Sequence, residues 1–246
     1  MKQEIVIHSD VAAMARWLAD TITQMAIDCV EKRDVFRVAL SGGSTPRALY
    51  LALGADPCRQ QLPWRKIEWF LGDERFVPAE HTDSNSRMVR ESLLQTIPMS
   101  ATKLFAVPTD APTADEAAAA YETDMLRAFG LKSGNVPVFD LMLLGLGEDG
   151  HTASLFPGTD SVDEENRMVT WSTGGGLDRI TCTFPCINAA KNVVILAAGE
   201  RKATILKDIL EGSVERYPVQ RVHPDSGRLI WALDQDAAQQ LETDES

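Results

Sequence analysis

The sequence predicts an α/β fold, in which a mostly parallel β-sheet carries helices on both faces to make three layers. Short apolar runs rich in Val, Ile and Leu alternate along the chain with longer segments of helical periodicity. The run at 141–144, Leu-Met-Leu-Leu, lacks polar alternation, which is typical of a strand buried on both faces of a parallel sheet. No internal repeat or long Pro/Ser linker divides the sequence, so we expect residues 1–246 to form a single domain.

In the N-terminal third, a short strand is predicted at 4–8, and Ser9 or Asp10 is expected to cap a helix over 11–31. A strand at 35–40 then leads into Ser-Gly-Gly-Ser-Thr-Pro at 41–46 and a helix that reaches residue 53. Thr45 fits the N-cap of this helix, and Pro46 fits its first turn, where the missing N–H is not needed. A loop is predicted at 57–63, followed by a strand at 67–71 and the polar segment GDERFVP at 72–78.

In the remainder, Asp83 or Ser84 is expected to cap a helix that ends near residue 94, and a short strand is predicted at 104–107. Thr113 and Glu116 form a capping box for an alanine-rich helix that ends near residue 129. A short turn or helix is expected to start at 185, and a helix is expected over 199–210. Further strands are predicted at 168–171, 179–183, 192–198 and 229–233.

The charge balance argues against nucleic acid and anionic membranes as partners. The 24 basic and 36 acidic residues give a formal net charge of −12. Four cysteines without a CxxC pair indicate reduced thiols in a cytoplasm. The N-terminal residues contain no long apolar stretch, so neither a signal peptide nor a membrane span is expected. A negatively charged protein that binds an anion must gather its basic residues locally.

Parallel strands point the same way, so the loops after residues 40, 71, 144 and 198 are expected at one edge of the sheet. The first of these loops would present unpaired N–H groups at a helix N-terminus, a geometry that suits phosphate. A glycine turn without a ligand is the alternative, and the loop is neither a Walker motif nor a spaced GxGxxG. The candidate cradle consists of Ser41, Gly42, Gly43 and Ser44.

A phosphate in this loop needs cationic partners, and Arg75, Arg179 and Lys202 are available near the same edge. Lys202 could instead lie on a solvated helix face. An exposed salt bridge between Glu74 and Arg75 would be the structural alternative for that segment.

His151 follows the strand at 141–144 in a turn that contains Gly145, Gly147 and Gly150. Imidazole titrates near neutral pH and can take a proton from water, so His151 is the candidate general base. Asp149 could accept a hydrogen bond from the other ring nitrogen and fix the tautomer. A polar surface histidine is the alternative. The sequence has no HExxH motif or Cys/His cluster, so no dedicated metal site is expected.

Three motifs resemble the glucosamine-6-phosphate isomerase/6-phosphogluconolactonase family, and specifically its lactonases. They are SGGSTP at 41–46, GDERFVP at 72–78 and GLGEDGHTASLFPG at 145–158, and their order and spacing match along almost the whole chain. The resemblance implies hydrolysis of 6-phospho-D-glucono-1,5-lactone to 6-phosphogluconate in the oxidative pentose phosphate pathway, without a cofactor. It also implies a Rossmann-like fold shared with glucosamine-6-phosphate deaminase.

The resemblance further implies that His151 activates water, with Asp149 beside it. It implies that Arg75, Arg179 and Lys202 bind mainly the phosphate, together with residues 41–44.

Two alternatives stay open. The first is the related deaminase, in which the residues after the histidine run Ile-Ala-Phe-Asn-Glu-Pro and the glutamate assists ring opening. Here Phe156 takes the glutamate's place, which disfavours deamination. Asp73 matches the deaminase's proton-shuttling acid and does not discriminate. The second alternative is a non-catalytic phosphosugar sensor, against which His151 and Asp149 argue. Monomer and homodimer are both compatible with the sequence.

Overall fold

A computed structural model describes residues 2–97 and 103–242 of the chain. The strands of the described residues are β1 (Lys2–His8), β2 (Phe36–Leu40), β3 (Ile67–Leu71), β4 (Asp73–Arg75), β5 (Lys103–Phe105), β6 (Leu141–Gly145), β7 (Val169–Gly174), β8 (Leu177–Cys182), β9 (Asn192–Ala197) and β10 (Arg228–Asp234). The α-helices are α1 (Val11–Arg33), α2 (Ser44–Leu53), α3 (Cys58–Gln61), α4 (Asn85–Ser92), α5 (Ala114–Phe129), α6 (Phe184–Asn188), α7 (Ala203–Leu210) and α8 (Gln235–Ala238).

Seven of the described strands form one sheet in the order β1-β10-β9-β6-β2-β3-β5, and every neighbouring pair in it is parallel. Helices pack around this sheet; α1, for example, contacts β1, β2 and β10. The predicted α/β fold with a mostly parallel sheet is therefore confirmed. Within the described ranges, no helix is long and apolar enough to cross a membrane.

The centre of the sheet is β6, whose Leu141, Met142, Leu143 and Leu144 are at most 1% exposed. Its neighbours are β9 on one side and β2 on the other. Fully burying an aliphatic side chain of this size contributes about 1.5–3 kcal/mol, so this strand anchors the loop that follows it. The prediction of a strand buried on both faces is confirmed.

A second, smaller sheet has the order β4-β8-β7 and is antiparallel. The sequence indicated the strands that became β7 and β8, but it predicted neither β4 nor their separation from the main sheet. The reason is that β4 is a three-residue polar strand, Asp-Glu-Arg, without an apolar pattern of its own. It exists because it pairs with β8.

Side-chain caps fix the starts of three helices as predicted. Asp10 accepts from the N–H of Ala13 at 2.7 Å, Ser84 from that of Arg87, and Thr113 from that of Glu116. Of the predicted Thr113–Glu116 capping box, only the bond from the Glu116 N–H to Thr113 is present among the described hydrogen bonds.

Two local predictions were wrong. The helix α2 begins at Ser44 with Gly43 as its N-cap, not Thr45. Gly43 has φ 106°, a conformation that glycine adopts without the strain of a side chain. Residues 57–63, predicted as a loop, contain the short helix α3.

Candidate active site

A cavity of about 570 Å³ opens at the carboxyl ends of β2, β3, β6 and β9. It is bordered by the loops that follow these strands and by the β7–β8 hairpin. The structure therefore brings the segments around residues 41, 73, 149 and 202 together, as the direction of the parallel strands predicts. The predicted residues that line the cavity are Ser41, Gly42, Gly43, Asp73, Arg75, Asp149, His151, Arg179 and Lys202.

Ser44 is the exception, because it does not line the cavity. It is the first residue of α2, and it is exposed. In the described part of the chain, no group accepts the N–H of Ser44 or Thr45. The backbone N–H groups of this turn can therefore bind an anion.

The glycine loop is held by a buried tyrosine that the sequence analysis did not identify. The Tyr50 hydroxyl accepts from the Ser41 N–H at 2.9 Å and donates to the Ser41 carbonyl at 2.8 Å. Burial raises the pKa of Tyr50, so the phenol stays protonated. Tyr121 makes the same pair of bonds to Leu71 at the end of β3. A tyrosine on a packed helix gives no local signal that it will reach a strand end.

Gly42 must be glycine because the carboxamide of Asn85 occupies the space of a Cβ atom. The Asn85 amide group donates to the Asp73 carbonyl at 2.9 Å and to the Asp73 carboxylate at 3.2 Å. The Ser154 hydroxyl donates to the other Asp73 carboxylate oxygen at 2.7 Å. Asp73 is 6% exposed, and Asn85 and Ser154 fix its carboxylate at the cavity wall. No pattern in the sequence indicated that Asn85 or Ser154 would contact Asp73.

Arg75 and Arg179 are directly opposite each other in the β4–β8 pair. Arg75 donates to the Asp83 carbonyl at 2.8 Å, and Arg179 donates through Nε to the Gly174 carbonyl at 2.9 Å. Within residues 2–97 and 103–242, neither forms an ion pair with a carboxylate. Two adjacent guanidinium groups that are not engaged in such an ion pair favour an anion.

Glu74 does not pair with Arg75 on the surface. It is 1% exposed, and its carboxylate accepts from the N–H groups of Arg75, Asn85 and Ser86 at 2.6–2.8 Å. Burial raises the pKa of Glu74, although these hydrogen bonds oppose the shift. Glu74 thus joins β4 to the start of α4 and leaves the Arg75 charge free.

The cationic side chains of the cavity are partly buried. Burial lowers the pKa of Arg179, and the nearby charge of Arg75 lowers it further. Burial also lowers the pKa of Lys202, while Glu148 and Asp149 oppose that shift. Lys202 lines the cavity and is half-buried, so it is not a fully solvated surface lysine. Within the described chain it forms no ion pair within 4.0 Å.

His151 and Asp149 form a tight pair. The His151 Nδ1 atom lies 2.5 Å from Asp149 Oδ1, and the same oxygen accepts the His151 N–H at 3.2 Å. Partial burial raises the pKa of Asp149, but the hydrogen bonds from His151 outweigh it, so the net shift is downward. An ionised Asp149 accepts from Nδ1–H, which leaves Nε2 as the basic nitrogen.

Two glycines allow the turn that carries this pair. Gly147 lies against the His151 ring and the Asp149 carboxylate, where a Cβ atom would overlap them. Gly150 has φ 77° and lies against Tyr217. The turn also bonds back on itself, because the Gly147 N–H donates to the His151 carbonyl at 2.8 Å.

In the described parts of the chain, no group of three or more His, Cys, Asp or Glu side chains is arranged to hold a metal ion.

A model of the family described as glucosamine-6-phosphate isomerases/6-phosphogluconolactonase matches residues 9–231. A 6-phosphogluconolactonase of Synechocystis sp. is 41% identical over 222 residues, which are 89% of this chain and 90% of the relative. The structure of a 6-phosphogluconolactonase from Trypanosoma cruzi is similar with a TM-score of 0.86 and 30% identity, over 98% of both chains. A monomeric glucosamine-6-phosphate deaminase shares the fold, with a TM-score of 0.76 and 19% identity, over 98% of this chain and 100% of the deaminase.

Proposed function

Since the chain belongs to the family of glucosamine-6-phosphate isomerases and 6-phosphogluconolactonases, we infer that it hydrolyses 6-phospho-D-glucono-1,5-lactone to 6-phospho-D-gluconate in the pentose phosphate pathway. We propose His151 as its general base. The observation that carries this proposal is the 2.5 Å contact between His151 and Asp149 in a cavity that is also lined by Arg75, Arg179 and Lys202.

The phosphate end of the substrate is assigned to the glycine loop and the cations. The free N–H groups at the start of α2 and the partial positive charge of the helix N-terminus would bind phosphate oxygens. Arg75, Arg179 and Lys202 would add charge-assisted hydrogen bonds, each of about 1.5–3 kcal/mol. These contacts supply local positive charge in a chain whose formal net charge is −12.

The chemical step is assigned to His151. Its Nε2 takes a proton from water as the water oxygen attacks the lactone carbonyl carbon. The resulting tetrahedral oxyanion collapses, the bond between the carbonyl carbon and the ring oxygen breaks, and the imidazolium returns the proton to the ring oxygen. Asp149 stabilises the imidazolium through Nδ1. The product acid releases one proton to solvent.

The deaminase remains the second candidate, and its fold is shared. Phe156 argues against it, because Phe156 lines the cavity beside His151 at the position of the deaminase glutamate. Asp73 would serve as a polar wall for the sugar in either enzyme.

We also propose that residues 1–246 work as a single domain, because the cavity draws on the main sheet and the small sheet together. The cysteine content and the charge balance support a cytoplasmic enzyme that acts on a small phosphosugar and not on nucleic acid.

The test is consumption of freshly prepared 6-phospho-D-glucono-1,5-lactone, measured above its spontaneous rate. We expect clear acceleration by the wild type and a loss of about 10²–10⁴-fold in kcat for His151→Ala. His223→Ala is the matched control, since His223 is exposed and away from this cavity. Ammonia release from glucosamine-6-phosphate without lactone hydrolysis would favour the deaminase. Binding of 6-phosphogluconate without turnover of either substrate would favour the sensor.

A further inference from the structure

The ring of Phe156 contacts both functional ends of the cavity. Its centroid lies 4.3 Å from that of the His151 ring, with an interplanar angle of 39°. The guanidinium carbon of Arg179 lies 5.3 Å from the same Phe156 centroid, over the ring. All three side chains line the cavity.

We propose that Phe156 is a positioning residue that sets the base and the phosphate-binding arginine in one fixed arrangement. The inference rests on the proposed function, since it assigns a task to a third side chain in the same reaction. Phe156 carries no group that can exchange a proton or bind phosphate, so it acts through His151 and Arg179.

Among the residues that the structure describes, the side chains of His151 and Arg179 are each restrained by one hydrogen bond. His151 is held through Nδ1 to Asp149, and Arg179 through Nε to the Gly174 carbonyl. One hydrogen bond by itself does not fix the plane of the imidazole ring or of the guanidinium group. Contact with an aromatic ring restricts the orientation of this plane, because offset aromatic pairs and cation–π pairs have preferred geometries.

Phe156 itself is held in place by its neighbours. Its carbonyl accepts from the Thr159 hydroxyl at 2.8 Å and from the Thr159 N–H at 3.2 Å. Gly174 lies against the ring so closely that a Cβ atom there would overlap the ring carbons. Gly174 thus admits the Phe156 ring and, through its carbonyl, binds Arg179.

A neutral ring beside Arg179 leaves the guanidinium available to an anion. A carboxylate at position 156 would form an ion pair with Arg179 and reduce the attraction for phosphate.

The first experiment compares Phe156→Leu with Phe156→Tyr by steady-state kinetics on the lactone. Leucine keeps apolar volume but removes the ring, so we expect kcat to fall about 2- to 10-fold and KM to rise about 2- to 5-fold. Tyrosine keeps the ring, and both constants should stay within about twofold of the wild type. Trp171→Leu is the control, because Trp171 is an exposed aromatic residue of the β7–β8 hairpin outside this cavity.

The second experiment moves the ring without removing it. The methyl group of Gly174→Ala would displace Phe156, so this variant should show the same direction of change in kcat and KM. In a Phe156→Ala background the added methyl group meets no ring, and we expect Gly174→Ala to have no further effect. Such non-additivity marks direct coupling of the two positions.

Several outcomes would overturn the inference. Wild-type kcat and KM in Phe156→Leu would do so, as would a lowered Tm with unchanged kinetics, which indicates a structural role alone. Additive effects of the Gly174 and Phe156 changes would also contradict it. Failure of the proposed function would look different, since the wild type itself would not hydrolyse the lactone. In that case, the Kd for 6-phosphogluconate is measured by titration of wild type and Phe156→Leu. An equal Kd for the two proteins overturns the inference.

Discussion

Asp149→Asn tests how much the carboxylate contributes to the base. The substitution keeps the size of the side chain and an oxygen that can accept from His151 Nδ1, but it removes the negative charge. That charge matters most when His151 becomes an imidazolium during proton transfer. We therefore expect a lower kcat and a KM within about twofold of the wild type, because the interaction strengthens only in the transition state.

The size of the effect follows from the 2.5 Å contact between Asp149 and His151. A hydrogen bond to a charged group contributes about 1.5–3 kcal/mol and a neutral one about 0.5–1.5 kcal/mol, a difference of about 1–1.5 kcal/mol. Since about 1.36 kcal/mol corresponds to tenfold in rate, kcat should fall about 5- to 12-fold. The Asp149 side chain is 52% exposed, so solvent screening places the expected value at the lower end of this range.

The assay is steady-state lactone hydrolysis by four proteins: wild type, Asp149→Asn, His151→Ala and the double variant. Once His151 is absent, the loss of Asp149 should have no further effect on kcat. Asp124→Asn removes the same charge from an exposed ion pair on α5 and serves as the control. An unchanged kcat for Asp149→Asn, or an equal further loss in the His151→Ala background, would refute the assigned partnership.

The pH dependence of stability gives a second measurement on the same pair. The folded state holds the pKa of Asp149 below its ordinary value. A carboxyl group of this kind stabilises the fold above its unfolded pKa, which is about 3.9, and this stabilisation is lost as the pH falls through the lower folded pKa. The difference in Tm between wild type and Asp149→Asn should therefore be present between about pH 5 and 7 and shrink as the pH falls below about 3.9. A difference that grows toward pH 3 would contradict the downward shift.

Two further predictions concern the phosphate side and the cavity wall. Arg75→Ala should raise KM about 10- to 160-fold, from the loss of about 1.5–3 kcal/mol of charge-assisted bonding, while kcat stays within about threefold. The control is Arg127→Ala, a change at an exposed arginine of α5. If steady-state kinetics gave the same KM for Arg75→Ala and Arg127→Ala, Arg75 would be excluded from the phosphate site. Ser154→Ala leaves the buried Asp73 carboxylate without its 2.7 Å donor, so the free energy of unfolding should fall by about 1–3 kcal/mol. Urea unfolding measures this free energy, and an unchanged midpoint would show that the bond from Ser154 to Asp73 does not stabilise the fold.

Much of the fold was predictable because its signals are local. The apolar run of β6 and the polar caps Asp10, Ser84 and Thr113 are patterns within a few residues, and each produced the expected element. The N-cap of α2 was mispredicted because Thr45 and Gly43 are both good N-cap residues, and the choice depends on backbone φ, which a sequence pattern does not fix.

The sequence by itself determined which chemical groups are available and that the ends of parallel strands would bring them to one edge. His151, Asp149 and the glycine loop could be identified this way, because each lies in the turn or loop that follows a strand. Only the tertiary structure decided how these groups are held. Ser154 lies 81 positions from Asp73, and Arg179 meets Arg75 only through the β4–β8 pairing. Such contacts depend on the packing and register of distant segments, and no local periodicity encodes them.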